Sequence, residues 1–117
     1  MSLDLFKMNI LYDYYGSLLT DKQREIFKMH YLNDYSLGEI SQSLNISRQG
    51  VYDTLKRAEA TLKFYEEKLE LIKKHDILTK KVEKINELLD NLYLHVQSEE
   101  ISKMIQEIKT ILNELNQ

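Results

Sequence analysis

The chain of 117 residues has no cysteine and no proline, and only three glycines. Without cysteine there are no disulfides and no thiolate metal sites, which removes the disulfide-stapled class of small secreted domains. The absence of proline, the scarcity of glycine and a charged fraction of 30% favour long uninterrupted helices over sheet or disorder. An all-α fold is expected. No run of 18 apolar residues occurs, and the opening MSLDLFKMNI lacks the basic start and apolar core of a secretory signal, so membrane insertion is not expected and the cytoplasm is the expected location.

Catalytic signatures are missing as well. His30, His75 and His95 stand far apart, and the chain holds no HExxH, GxxxxGK[ST] or GxSxG, the spacings by which metal, phosphate-loop and serine-elbow chemistry would be recognised. His30 reads as a packed helix residue and His75 as a helix-end residue facing terminal carbonyls. The expectation is a non-enzyme with no catalytic residue, no metal and no cofactor. The length suits one compact domain or a small domain carrying a helical extension.

What is present centres on Ser36–Tyr65, SLGEISQSLNISRQGVYDTLKRAEATLKFY. Ser36 with Glu39 three residues later forms a capping box, and Ile40 and Leu44 face inward from the helix it starts. Asn45 sits where a left-handed residue is wanted, with Ile46 tucked beneath it. Ser47 caps a second helix whose inward stripe begins at Val51. This is the pattern of a helix-turn-helix. Ser47, Arg48, Gln49, Tyr52, Asp53, Lys56 and Arg57 are left on the outer side, where a recognition helix meets a DNA groove. Ser47 and Arg48 suit phosphates at the helix N-terminus, Gln49 and Tyr52 suit base edges, and Lys56 and Arg57 suit a second set of phosphates. Asp53 opposes phosphate, but it precedes Lys56 by three residues and Arg57 by four, so an intrahelical pair can neutralise it. Gly50 costs helix stability and permits close approach of a backbone or neighbouring helix.

Around this motif the apolar residues fall at helical spacing. Leu3, Phe6, Ile10 and Tyr14 make one stripe from a cap at Ser2, and Leu5, Met8, Tyr12 and Tyr15 make a second, with Gly16 placed to end the helix in a left-handed conformation. Thr20 and Gln23 form another capping box, after which Ile26, Phe27, His30 and Tyr31 supply an inward face. Asn33-Asp34-Tyr35 reads as a polar turn. Beyond the motif, Val51, Leu55, Ala58, Leu62, Tyr65, Leu69 and Ile72 continue without a slip, so the second motif helix is expected to reach Lys73-Lys74-His75, with a turn near His75-Asp76. Leu78, Val82, Ile85, Leu89, Leu92 and Val96 form the next stripe. Ser98 starts a last helix carrying Ile101, Ile105, Ile108, Leu112 and Leu115.

The expected organisation is a helix-turn-helix domain over residues 1–65 and a helical extension over 66–117, the latter for assembly or partner binding. A DNA-reading unit of this kind is complete by about Tyr65. The stripes that outrun it suggest a homodimer. Formal charge is −3, and the excess lies in the tail: residues 1–75 hold 11 basic and 11 acidic side chains, residues 76–117 hold 5 and 8. Any nucleic-acid face is therefore a local patch whose affinity salt would screen easily.

The stretches LTDKQREIF, SLGEISQSLNISRQGVYDTLKR and FYEEKLELI, in this order, resemble the YlxM family of small bacterial proteins over nearly the whole chain. Its front half is similar to region 4 of sigma-70-type transcription factors, which reads the promoter −35 element. The resemblance implies a regulatory protein associated, by gene neighbourhood, with the signal-recognition-particle GTPase, and places Arg48, Gln49 and Asp53 at positions that face the groove in region 4. Acidic Asp53 and small Gly50 depart from that pattern. Two functions follow as expectations. One is a DNA-binding regulator whose extension sets the spacing of two recognition helices; the other is a helical adaptor that makes protein or RNA contacts to signal-recognition-particle components and binds no DNA.

Overall fold

The computed structural model describes the backbone of residues 2–116 and the side chains of 4–116. Among these residues there are six α-helices and no strand: α1 (Ser2–Tyr15), α2 (Asp21–Phe27), α3 (Leu37–Leu44), α4 (Arg48–Leu69), α5 (Leu71–Leu94) and α6 (Glu99–Leu115). The cap expected at Ser2 and the packing expected of Leu3 lie outside the described side chains. The chain divides into two compact units, Met1–Ile72 and Lys73–Gln117.

The first unit is held by one cluster. Met8, Leu11 and Tyr15 from α1, Ile26 and Phe27 from α2, Ile40 from α3, and Val51, Leu55, Ala58 and Leu62 from α4 are all buried together with Leu19. Each large aliphatic side chain so buried contributes roughly 1.5–3 kcal/mol of transfer free energy. The helix starts follow from local chemistry. Thr20 and Gln23 close a reciprocal box at α2, and Ser36 and Glu39 close one at α3. After α2 the chain widens into π-helical turns over Lys28–Leu32, and Asp34, at φ 59°, reverses it.

Three expectations about this unit need correction. On α1 the buried side chains are Met8 and Tyr15 of the second stripe together with Leu11, which belongs to neither, whereas Phe6 is 64% exposed and Tyr14 is exposed; the packing partners select which apolar side is covered. Gly16 is not left-handed, since no described glycine has positive φ. It opens a 3-10 turn, and a Cβ there would come within 2.8 Å of the Tyr12 ring, so close approach requires the glycine. Finally, the helix break falls at Glu70 and not at His75-Asp76, which lie inside α5. Glu70 is left-handed at φ 54°. The break is fixed by Tyr15, distant in sequence, and by Glu66 in the last turn of α4. The Leu71 amide donates to Tyr15 Oη (3.1 Å), the Ile72 amide donates to Glu66 Oε1 (3.1 Å), and the Tyr15 hydroxyl donates to that same carboxylate oxygen (2.5 Å). Two of the amides left unpaired at the start of α5 are thereby satisfied.

Within the second unit, hydrogen bonds pair Thr79 with Asn116 (3.0 Å) and Asn86 with Asn113 (3.5 Å), and Lys109 forms an ion pair with Asp90. Positions rise along α5 as they fall along α6, so the unit is an antiparallel hairpin. Val82 and Ile105 are buried there.

Candidate nucleic-acid interface

The turn between α3 and α4 is assembled from short polar side chains. Asn45 takes the left-handed conformation at φ 55°, ψ 47°, a region that asparagine tolerates better than most residues. The Ile46 amide donates to Ser41 O (3.2 Å), and the Ser41 hydroxyl returns a 2.5 Å bond to Ile46 O. Ser47 Oγ then accepts from the Gly50 amide (2.9 Å) and starts α4. A Cβ on Gly50 would lie 3.1 Å from that same Oγ. Gly50 thus leaves room for the cap of its own helix, and the neighbouring-helix approach expected for it is not what the structure has there.

With Val51, Leu55, Ala58 and Leu62 buried, the residues on the opposite side of the helix are left facing outward. Ser47, Arg48, Gln49, Tyr52, Asp53, Lys56 and Arg57 are all exposed and lie within the first three turns of α4. The structure gathers them on and around one helix face. Their partners differ from the expected ones. Asp53 accepts a 2.8 Å hydrogen bond from Gln49 Nε2, and the pair expected with Lys56 or Arg57 is not formed. Lys56 turns instead to Glu59 (3.3 Å) and sits 5.5 Å from the centre of the Tyr52 ring. Arg48 and Arg57 make no ion pair among the described residues.

At 100° per residue, Lys56 and Gln49 occupy the middle of this face with Tyr52 and Asp53 on either side, and Arg48 and Arg57 stand half a turn apart around the axis. The nine steps from Arg48 to Arg57 amount to roughly 13.5 Å of helical rise, so the two guanidinium groups start from opposite ends as well as opposite edges of the face. Two arginines thus flank a face whose middle holds the Gln49 amide, hydrogen-bonded to Asp53, and Lys56, held by Glu59.

Two supporting residues, Gly38 and Glu59, were not singled out in the sequence, where each left only a faint signal. Gly38 lets the Arg48 guanidinium lie across α3, because a Cβ there would approach Nη2 to 3.1 Å. A glycine in the first turn of a well-capped helix hints at close approach, but the sequence does not say by what. Glu59 is a buried carboxylate that accepts a 2.5 Å bond from the Tyr31 hydroxyl through Oε2 while Oε1 meets Lys56. Burial, reinforced by that bond to Glu59, raises the Tyr31 pKa. Its position among Leu55, Ala58 and Leu62 was the available clue. The network ties α4 to the segment following α2, which sets the face against a fixed support.

Residues 4–108 match the model of the UPF0122 family, described as "Putative helix-turn-helix protein, YlxM / p13 like". The chain belongs to this family. A UPF0122 protein of Thermoanaerobacter sp. (strain X514) is 57% identical over 116 residues, covering 99% of each chain. Another, from Caldanaerobacter subterraneus subsp. tengcongensis, is 68% identical over 89 residues, 76% of each chain, and one from Halalkalibacterium halodurans is 42% identical over 105 residues, 90% of this chain and 94% of the relative. The UPF0122 match does not stop at α4. It continues through α5 into α6, so the hairpin is part of what defines the family. Among the described residues no helix is long and apolar enough to cross a membrane.

Proposed function

We propose that this UPF0122 protein is a DNA-binding regulatory protein that lays the N-terminal half of α4 in a major groove. One observation carries the reading: Arg48 and Arg57, free of ion pairs among the described residues, flank an exposed face that holds Gln49, Asp53 and Lys56 between them. Guanidinium groups at the two edges suit the phosphates of the two groove walls, and an amide beside a carboxylate suits base edges, glutamine for adenine and aspartate for the cytosine amino group. Ser47, Tyr52 and Lys56 extend the contact surface. We assign this activity to the signal-recognition-particle pathway in the cytoplasm, a reading supported by the resemblance to the YlxM family, and a homodimer would offer two such helices to successive grooves.

The test is a binding titration across a salt series from about 50 to 200 mM, in which each phosphate contact contributes close to one unit of log–log slope. Replacing Arg48 and Arg57 by alanine together is expected to weaken binding and reduce the slope by about two. Unchanged affinity and slope would remove this face as the contact surface. Asp53→Asn is expected to strengthen non-specific binding, because a like charge opposite phosphate is lost.

A second reading, an adaptor for protein or RNA partners of the same pathway, draws on an apolar cleft of about 430 Å3 in the first unit, lined by Phe6, Lys7, Ile10, Leu11, Glu66 and Ile72. An apolar protein partner there would respond little to salt and would bind with a negative heat-capacity change, which separates it from a phosphate binder.

A further inference from the structure

The hairpin of α5 and α6 has an apolar surface that it does not use on itself. Toward α6, α5 turns Thr79, Val82, Asn86 and Leu89, and α6 answers with Ser102, Ile105, Lys109 and Leu112. Both sets step by three and four, the alternation of paired helices. Half of these side chains are polar. One residue earlier around α6 runs a second alternation, Ile101, Met104, Ile108, Ile111 and Leu115, wholly apolar and 45–58% exposed. One residue earlier around α5 runs its counterpart, Leu78, Ile85, Leu88 and Leu92, 41–54% exposed.

The two outer rows lie on the same side. A step back of one residue turns by 100°, and in antiparallel helices viewed from one end those turns have opposite senses, which brings both rows to one face. A step forward meets Lys80, Glu83, Glu87 and Asp90 on α5, and Lys103, Gln106, Thr110 and Asn113 on α6. The opposite face is polar. A hairpin with one broad apolar face is half of a four-helix bundle.

Charge selects the other half. Lys74, Lys81 and Lys84 lie in or beside the apolar row of α5, and Glu100, Glu107 and Glu114 border that of α6; all six are exposed and outside any ion pair among the described residues. Stacking like helix on like would set the glutamate edge of α6 against itself. Stacking α5 on the α6 of a second copy sets lysine edge against glutamate edge twice, which is the self-complementarity a two-fold interface requires.

We propose that the unit Lys73–Gln117 pairs with a second copy of itself through this face, about a two-fold axis parallel to the helices, so that α5 of each chain lies along α6 of the other. The proposal rests on the two-copy reading above and names its interface, and it does not depend on whether α4 meets DNA.

Sedimentation of the full chain at micromolar concentration is expected to give twice the 14.0 kDa chain mass. Ile108→Glu, at an exposed position the hairpin itself can accept, is expected to give the mass of a single chain, whereas Gln106→Glu on the polar face leaves the double mass unchanged. The axis is tested with cysteines, since the chain has none. Asn86 and Asn113 share one level of the hairpin, as do Asp90 and Lys109, which puts Leu88 level with Ile111. A rotation about an axis parallel to the helices preserves level, so Leu88→Cys and Ile111→Cys chains produced together are expected to form the mixed disulfide on oxidation. A monomeric intact chain overturns the two-copy reading and this interface with it. A dimer that survives Ile108→Glu and forms no mixed disulfide overturns the interface alone, and disulfides only between identical chains overturn the axis.

Discussion

The two units are built from the same kind of helix, yet among the described residues the first encloses eleven buried apolar side chains in one cluster and the second buries Val82 and Ile105. Sequence composition does not explain the contrast, because the outer row of α6 is at least as apolar as the buried stripe of α4. Closure explains it. Four helices meeting from different directions can cover an apolar stripe on every side, whereas two helices in a hairpin cover one side of each and leave the rest to water or to a partner. The first unit is therefore expected to be stable as a single chain and the second to draw stability from assembly.

The sharpest way to break that contrast is to cut into each core. Ile40, fully buried where α3 meets the cluster, is expected to cost on the order of 2–5 kcal/mol when replaced by alanine, and this cost should not change with protein concentration. Ile105→Ala in the hairpin should lower a stability that does change with concentration, because a state stabilised by a second copy follows mass action. Amide hydrogen exchange in denaturant at two concentrations about tenfold apart reads both units in one sample. If residues beyond Lys73 exchange at a concentration-independent rate equal to that of the first unit, the contrast fails.

The same contrast governs what the sequence discloses. Capping boxes at Thr20 and Ser36, the left-handed Asn45 and the cap at Ser47 are legible because donor and acceptor lie within three or four residues. The inward stripe of α4 is legible because its period is local. The choice between two apolar stripes on α1 is not, since it belongs to the partners. Nor is the break at Glu70, where the stripe runs on without a slip and the residues that satisfy the new helix start include Tyr15, more than fifty positions earlier. At the candidate site the exposed residues were legible and their partners were not: Asp53 had Gln49, Lys56 and Arg57 all within helical reach, and only the placement of Glu59 draws Lys56 away.

Tyr15→Phe measures how firmly that distant cap holds the end of the first unit. The phenol is buried, and burial, followed by its hydrogen bond to Glu66, pushes its pKa upward. Removing the hydroxyl keeps the packing of the ring and takes from the Leu71 amide its acceptor. A loss of roughly 1–3 kcal/mol is expected, the cost of leaving a buried polar group without its partner, with faster exchange at the Leu71 amide. Unchanged exchange there would show that the break at Glu70 is held by something else.

The smallest effect expected is an acid response confined to one helix start. The Ser36 amide donates to Glu39 Oε1 (2.9 Å), and this bond, with that of the serine side chain, holds the Glu39 carboxyl below its ordinary range. A carboxyl lowered in the folded state gives stability that is complete above the ordinary glutamate range and is lost as pH falls through the lowered value. The box at α2 performs the same closure with Gln23, whose amide does not titrate, and α6 has only the single bond from the Ile101 amide to Ser98 Oγ (3.4 Å). Glu39→Gln should therefore preserve the cap while removing its share of the acid slope, so that the stabilities of the two proteins converge as pH is lowered and differ by a constant at neutral pH. Two parallel stability curves across the carboxylate range would show that Glu39 contributes nothing proton-linked.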